Sequence, residues 1–270
     1  LQDFRSSDGL YNLVKQKHPK AVVKGRDLFD ASLFMDPAST SLFYSFIAEL
    51  KIRSASATAT RTHMFLRALR DAGKLLRVYT QNIDGLELRD TCGLVSQTCL
   101  GQSVDAKTLR TGVEVVQLHG DLDHVKCFLC NALLDMEEGW LDEFAEGSAP
   151  PCPKCEETAM VRSAAGKRTQ TVGRLRPNII LYNEPHPSGD QIADFASHDV
   201  KKRPDLLIVM GTSLKVDGLK TLVKDMARKV HELERGRVIF INATEVGVKE
   251  WGDVFDFHIL GSTDAVVDRL

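Results

Sequence analysis

The chain has 270 residues, 43% of them hydrophobic and 27% charged, with a formal net charge of −2. That length buries a full core and allows one large domain with a satellite or two compact ones. The near-neutral balance argues against a partner held mainly by bulk electrostatics, six cysteines are too few for a disulfide scaffold and point to a reducing compartment, and no apolar run is long enough to span a bilayer.

In chain order, residues 3–11 mix charge, small residues and aromatics without a period, which reads as a functional loop or as a frayed terminus. Nothing there has the apolar region of a signal peptide. Between residues 28 and 50, Phe34, Leu42, Phe43, Phe46, Ile47 and Leu50 recur at helical spacing, and Pro37 and Ser39 suit a helix start. Residues 61–72 predict an amphipathic helix with Phe65, Leu66 and Leu69 inward, His63 as a packing residue and Gly73 at its end. A β-like run over 75–79 stops at Thr80-Gln81-Asn82-Ile83-Asp84-Gly85. Ligands in open α/β sheets are gripped just beyond the carboxyl end of a strand, so this hexapeptide is a site candidate, although an ordinary polar turn has the same composition.

Residues 86–112 are polar and irregular, and Cys92 and Cys99 within them read as free thiols rather than a second metal site. A second strand over 113–118 delivers His119-Gly120. Taken alone, His119 is an ordinary core or turn histidine unless the chain needs a base. Cys127 and Cys130 form one CxxC pair and Cys152 and Cys155 another, about twenty residues apart. That spacing predicts a structural zinc ribbon, in which four thiolates close the tetrahedron and leave no open position. Arg162, Lys167, Arg168, Arg174 and Arg176 then follow without an acidic residue. Such a run is either a solvated loop or a contact for nucleic acid or an acidic partner.

Strand character returns over 176–182 and ends at Asn183-Glu184-Pro185. The last third alternates: a strand over 205–210, the turn Gly211-Thr212-Ser213, a helix over 219–233, a strand over 237–241 closing on Asn242, a strand over 253–260 and a helix over 264–270. Continuous apolar strands separated by helices predict an α/β fold, a Rossmann-like parallel sheet with helices on both faces, joined here by a small zinc-ribbon and helical domain. The expected division is a catalytic domain over 1–120 and 176–270 with a helical insertion over 10–60, and a zinc-binding domain over 121–175.

The ordered set Asp3-Phe4-Arg5-Ser6, Gln81-Asn82-Ile83-Asp84, His119-Gly120, two CxxC pairs, Arg176-Pro177, Gly211-Thr212-Ser213-Leu214 and Ile241-Asn242 resembles the sirtuins, NAD-dependent protein deacylases, along nearly the whole chain. Thr60-Arg61-Thr62-His63-Met64-Phe65, the segment 211–218 and the long insertion after Gly85 look most like the fungal branch that deacetylates nucleosomal histones. The resemblance implies that an acetyl-lysine oxygen attacks the nicotinamide ribose of NAD, and that a base then deprotonates a ribose hydroxyl so that the alkylimidate collapses. His119 takes that role, suited by an ordinary imidazole pKa of about 6.5. Asn82 positions ribose and water, Gln81 bonds a ribose hydroxyl, and Asp84 with the backbone of Ile83 holds the carboxamide. Asp3, Phe4 and Arg5 belong to the cofactor loop, Gly211, Thr212 and Ser213 allow close backbone approach, Asn242 meets the adenosine ribose, and Thr263 and Asp264 lie on the adenine side. Ile180, Tyr182 and Val216 flank an acyl-lysine peptide added as a β-strand.

The implied cofactors are NAD and one structural Zn2+. The implied partner is an acetylated histone or other acetyl-lysine protein, with nucleosomal contact through the 162–176 basic segment, no membrane, and a nuclear location. Three departures stand out. The family's glycine-rich phosphate loop and first strand would precede Asp3, so the fragment is expected to bind NAD poorly or not at all. Gln2 and Ala59 stand where the family often has proline. Tyr182-Asn183-Glu184 replaces the usual Phe-Gly-Glu, which puts the peptide strand's geometry in question. Two rival readings are a non-catalytic NAD-sensing or zinc-dependent interaction module and an NAD-linked dehydrogenase. The latter leaves Asn82, Asp84 and His119 without a joint role.

Overall fold

The computed structural model describes residues 27–95 and 112–270. The chain divides into two compact units, one built from Leu1–Ala57, Thr80–Gly85 and Gln117–His186, the other from Thr58–Tyr79, Leu86–Val116 and Pro187–Leu270. Asp3, Phe4, Arg5 and Cys99 lie outside the described residues.

In the first unit, two short 3-10 turns, Asp27–Phe29 and Ala31–Met35, precede helix α1, Pro37–Ser56. The break between them has a local cause. The Asp36 carboxylate accepts from the Ser39 backbone N–H at 2.8 Å, and Pro37 occupies the first helical position, where its missing N–H costs nothing. Leu42 through Ala48 are all buried, so mid-helix α1 is enclosed on every side, not on one stripe. It packs with Phe144 of α3 (Glu138–Ala145), whose ring stacks on Tyr44 at 5.0 Å. A three-stranded antiparallel sheet runs β4-β3-β5, with β3 at Gly120–Cys127, β4 at Leu133–Asp135 and β5 at Leu175–Ile179. Helix α4, Pro153–Ala164, starts inside the second CxxC pair.

The second unit carries α2 (Arg61–Asp71), α5 (Gly189–Lys201) and a parallel sheet β6-β7-β8, at Leu206–Met210, Arg237–Asn242 and Phe257–Leu260. Leu206 pairs with Arg237 and Ile239 with Phe257, in unbroken register. Helix α6, Asp217–His231, buries Val223, Met226, Ala227 and Val230, and Val209, Val238 and Phe240 of the sheet are buried in the same clusters. Phe255 stacks on Phe240 at 4.8 Å and on Trp251 of α7 (Val248–Trp251) at 5.2 Å. All four residues of β8 are exposed. Helix α8, Thr263–Val267, closes the described chain. Strands β1 (Val78–Thr80) and β2 (Val115–Gln117) pair in a separate ladder. The α/β class holds, with one addition: a parallel sheet lies in one unit and an antiparallel sheet in the other.

Arg77, just ahead of β1, meets Asp199 of α5 through two bonds of 2.6 and 2.9 Å, and the Tyr79 hydroxyl donates to the same carboxylate at 2.7 Å. Both charged side chains are under 5% exposed, 4% and 3%. Removing one partner of such a pair strands a buried charge. We therefore expect Asp199→Ala to cost about 3–5 kcal/mol of stability, and Arg77→Met with Asp199→Leu to cost clearly less. Urea unfolding of both variants followed by circular dichroism tests this, and equal losses would refute the pairing argument.

Candidate functional site

Within the first unit, the segment after β1 is fastened at successive residues. Leu118 donates its N–H to Thr80 O at 2.8 Å, Leu122 to Ile83 O at 3.1 Å, and the Ser54 hydroxyl to Asp84 O at 3.1 Å. The Asn82 N–H is held by the Thr80 hydroxyl at 3.1 Å, which leaves the Asn82 side chain exposed. His119 stands beside this loop. Its Nδ1 lies 3.2 Å from Gln81 O, and since a carbonyl only accepts, Nδ1 carries the proton and Nε2 presents its lone pair. Burial pushes the His119 pKa below the ordinary histidine value, opposed by the Gln81 contact and reinforced by the nearby His186 ring. His186, which no sequence motif marked, donates from Nε2 to Leu118 O at 2.7 Å and so braces the strand end that carries His119.

Gly120 explains its own identity. It has φ +79°, and a Cβ there would lie 2.0 Å from Asn178 O. Only glycine lets β3 and β5 approach so closely. The same approach lets Ile180 donate to His119 O at 2.9 Å, placing the predicted acyl-lysine residue next to the predicted base. Asn183 answers the question raised by its replacing glycine: it adopts φ +61°, a conformation asparagine tolerates, and its Nδ2 donates to Asp30 at 2.6 Å. Tyr182 is 40% exposed, and its backbone N–H and C=O pair with Phe29 and Ala31.

The four cysteines converge. Their sulfurs all lie within 4.8 Å of one another, with Cys127 and Cys155 at 3.8 Å and Cys130 and Cys152 at 3.7 Å. A zinc tetrahedron with bonds of about 2.3 Å has edges of about 3.8 Å, so the spacing fits a thiophilic dication. Leu129 and Cys130 direct backbone N–H groups at Cys127 Sγ from 3.3 and 3.5 Å. Burial would raise the Cys127 thiol, but those donors bring it down to about 7, while burial pushes Cys152 up to about 12. Four sulfurs this close ionise together only around a cation. Gly173 is the cradle: a Cβ there would stand 2.5 Å from Cys127 Sγ.

The basic segment needs correction. Arg176 is buried and forked onto Glu184, so it leaves the segment's surface charge, while Arg162, Lys167, Arg168 and Arg174 stay exposed or half-buried, Arg174 donating to Ala149 O at 3.2 Å and Arg162 to Arg168 O at 3.0 Å.

In the second unit, Gly211 has φ +62° and donates to Ile241 O at 3.0 Å, and Thr212 Oγ1 accepts from Leu214 N–H at 3.2 Å. Ser213 is exposed, and Val216 caps the start of α6. Asn242 is buried and its amide donates to Thr244 O at 2.9 Å, shaping the turn after β7. Thr62 of α2 donates its N–H and hydroxyl to Asp264 at 2.8 and 2.6 Å and contacts the Thr263 hydroxyl at 2.9 Å. Burial would raise the Asp264 carboxyl, but these bonds hold it below the usual carboxylate range. Both predicted adenine-side residues therefore anchor α8 to α2. Cys92 is a free, buried thiol, as expected.

A family model described as "Sir2 family" matches residues 1–97 and 93–218. Among curated relatives, the NAD-dependent histone deacetylase HST3 of Candida albicans is 43% identical over 100% of this chain and 56% of its own length. HST3 of Saccharomyces cerevisiae is 42% identical over 98% and 60%, and the NAD-dependent protein deacetylase hst4 of Schizosaccharomyces pombe is 39% identical over 100% and 62%. The chain thus spans about three fifths of these relatives. Two solved structures, "Sir2-p53 peptide-NAD+" and "Structure of Sir2Tm bound to a propionylated peptide", share the fold, with TM-scores of 0.63 and 0.65 at 21% and 20% identity, each over 95% of this chain and 87% of theirs.

Replacing Cys130 or Cys152 by serine is expected to abolish binding of one dication per chain, and Gly173→Ala to weaken it by at least about tenfold. Elemental analysis and competition with a chelator measure both. Full metal content in the serine variants would remove the four-sulfur centre.

Proposed function

The chain belongs to the Sir2 family, and we propose that it carries an NAD-dependent protein-lysine deacetylase. The substrate is an acetylated histone and the products are deacetylated lysine, nicotinamide and O-acetyl-ADP-ribose. The observation that supports this best is the His119 imidazole, fixed by Gln81 O with Nε2 unprotonated, beside a stitched loop that presents Asn82 and Asp84. Bound NAD supplies an electrophilic ribose carbon and a departing nicotinamide.

His119 Nε2 accepts a ribose hydroxyl proton, and the Gln81 carbonyl steadies the imidazolium that forms. Asn82 orients ribose and water with its exposed amide. Gln81 and Asp84 bind a hydroxyl and the carboxamide, with Ile83 contributing backbone. Asp3, Phe4 and Arg5 complete the cofactor loop, Gly211, Thr212, Ser213 and Asn242 meet the ribose and phosphate side, and Thr263 and Asp264 shape the adenine side through their hold on Thr62. Ile180, Tyr182 and Val216 receive the peptide. The inward-facing main-chain groups of Tyr182 are already paired, so any added strand uses the outward groups of its neighbours.

Zn2+ is the dication that best suits four thiolates. With no open coordination position it holds the module together and activates no water. We place the protein in the nucleus, acting on chromatin, with Arg162, Lys167 and Arg168 available to an acidic nucleosomal surface.

Incubation of the full-length parent protein with NAD and an acetylated histone peptide, followed by mass spectrometry, is expected to yield O-acetyl-ADP-ribose, and the 270-residue chain alone to yield little or none. Its absence from metal-loaded full-length protein would leave a binding module instead. His119→Ala should lower kcat by on the order of 10²–10⁴-fold with the fold intact. Because burial lowers the His119 pKa, the base stays unprotonated as pH falls, and the acid limb of kcat should lie below about 6.5. An acid limb above that value would contradict the assignment of the imidazole.

A further inference from the structure

We propose that Phe128, inside the first CxxC knuckle, is a positioning residue for the acyl-lysine strand, acting through Arg176 and Glu184. The inference rests on the deacetylase reading, in which Ile180 and Tyr182 receive the substrate.

Arg176 leaves β5 into a buried position and has most of its polar edge committed. Nη1 and Nη2 fork onto the two Glu184 oxygens at 3.2 and 3.1 Å, and Nη2 also donates to Ile179 O at 2.9 Å. Glu184 Oε2 in turn accepts the Leu181 N–H at 3.3 Å. These bonds tie residues 179, 181 and 184 to one guanidinium, so the course of the chain through Ile180 and Tyr182 follows from where that guanidinium sits.

Its π-face is set by two rings. The guanidinium carbon lies 4.9 Å from the Phe34 centroid and 5.4 Å from that of Phe128, and the rings meet edge to face at 5.0 Å. Phe34 is itself braced by buried Phe43 at 5.5 Å. Phe128 differs, because it is 47% exposed and burial alone does not account for an aromatic there. Its backbone is set by the knuckle: Phe128 N–H donates to Arg174 O at 3.0 Å, Cys127 before it is one of the four sulfur ligands, and Leu129 after it donates its N–H to Cys127 Sγ at 3.3 Å. A guanidinium over an aromatic face is held by the ring quadrupole as well as by contact area. The order of the metal knuckle is thereby transmitted to the substrate strand over a path of three side chains.

The test uses Phe128→Leu, which keeps an apolar side chain and removes the ring, and Phe128→Tyr, which keeps the ring. Metal content, KM for an acetyl-lysine histone peptide, KM for NAD and kcat are measured for each. Phe128→Leu is expected to raise the peptide KM by about tenfold while the NAD KM, kcat and metal content stay within about twofold, and Phe128→Tyr to behave as wild type. Exchange of the Leu181 amide should be faster in Phe128→Leu alone. A peptide KM equal to wild type in Phe128→Leu, or peptide and NAD constants that rise together, overturns the proposal and leaves the deacetylase reading standing. Wild-type protein that neither binds nor turns over the acetylated peptide overturns both.

Discussion

The close approach of β3 and β5 at Gly120 is the constraint on which the first unit's chemistry depends. With no Cβ at residue 120, Asn178 O moves in to where a side chain would otherwise stand, and His119 O then takes the Ile180 N–H. The proposed base and the proposed substrate strand become neighbours through backbone geometry, which does not rely on either side chain finding its rotamer. The loop bearing Asn82 and Asp84 is tied to the same strand through Ile83 and Leu122. A site assembled from main-chain bonds keeps its geometry while its side chains exchange protons and ligands.

The four-sulfur centre plays a different part. It sits at the far end of β3 from His119, since Gly120 and Cys127 are that strand's first and last residues. In the proposed function the sulfurs and the imidazole share a strand without sharing a reaction. Around the centre, Gly173 supplies the space the sulfurs need, and Phe128 and Leu129 project outward from the turn that carries them. What first reads as one His-Cys cluster along the sequence is, in space, the proposed catalytic strand end and a four-sulfur centre eight residues apart.

Some of this was legible in the sequence, and the reasons differ. The cysteine pairs announce themselves because ligands with only two residues between them must share a turn. The parallel strands β6 and β7 read as unbroken apolar runs. By contrast β3 was hidden, because its register with β5 shifts between Gly120 and Val125 and its apolar residues lose their alternation. Helix α1 begins at Pro37, as its Pro37 and Ser39 suggested, while Leu28 and Phe34 lie ahead of it in 3-10 turns. His63, expected to pack, is half-buried, and its Nδ1 also accepts the Thr60 N–H at 3.1 Å at the head of α2, a cap that no pattern announced. Arg176 looked like one of five solvated cations, and its partner Glu184 lies eight residues on, across a turn that no local pattern reveals. The role of His119 came from resemblance alone; its tautomer and its companion His186 required coordinates.

The β8 strand carries one more consequence. It lies at the margin of the parallel sheet, and Phe257, Ile259 and Leu260 on it are all exposed. Among the described residues β8 pairs with β7 alone, and a hydrophobic margin of that kind invites another strand to join it. Any tendency of this protein to self-associate on concentration or storage is therefore expected to respond to a charged residue at position 257 or 259, on a strand remote in sequence from both the sulfurs and the imidazole.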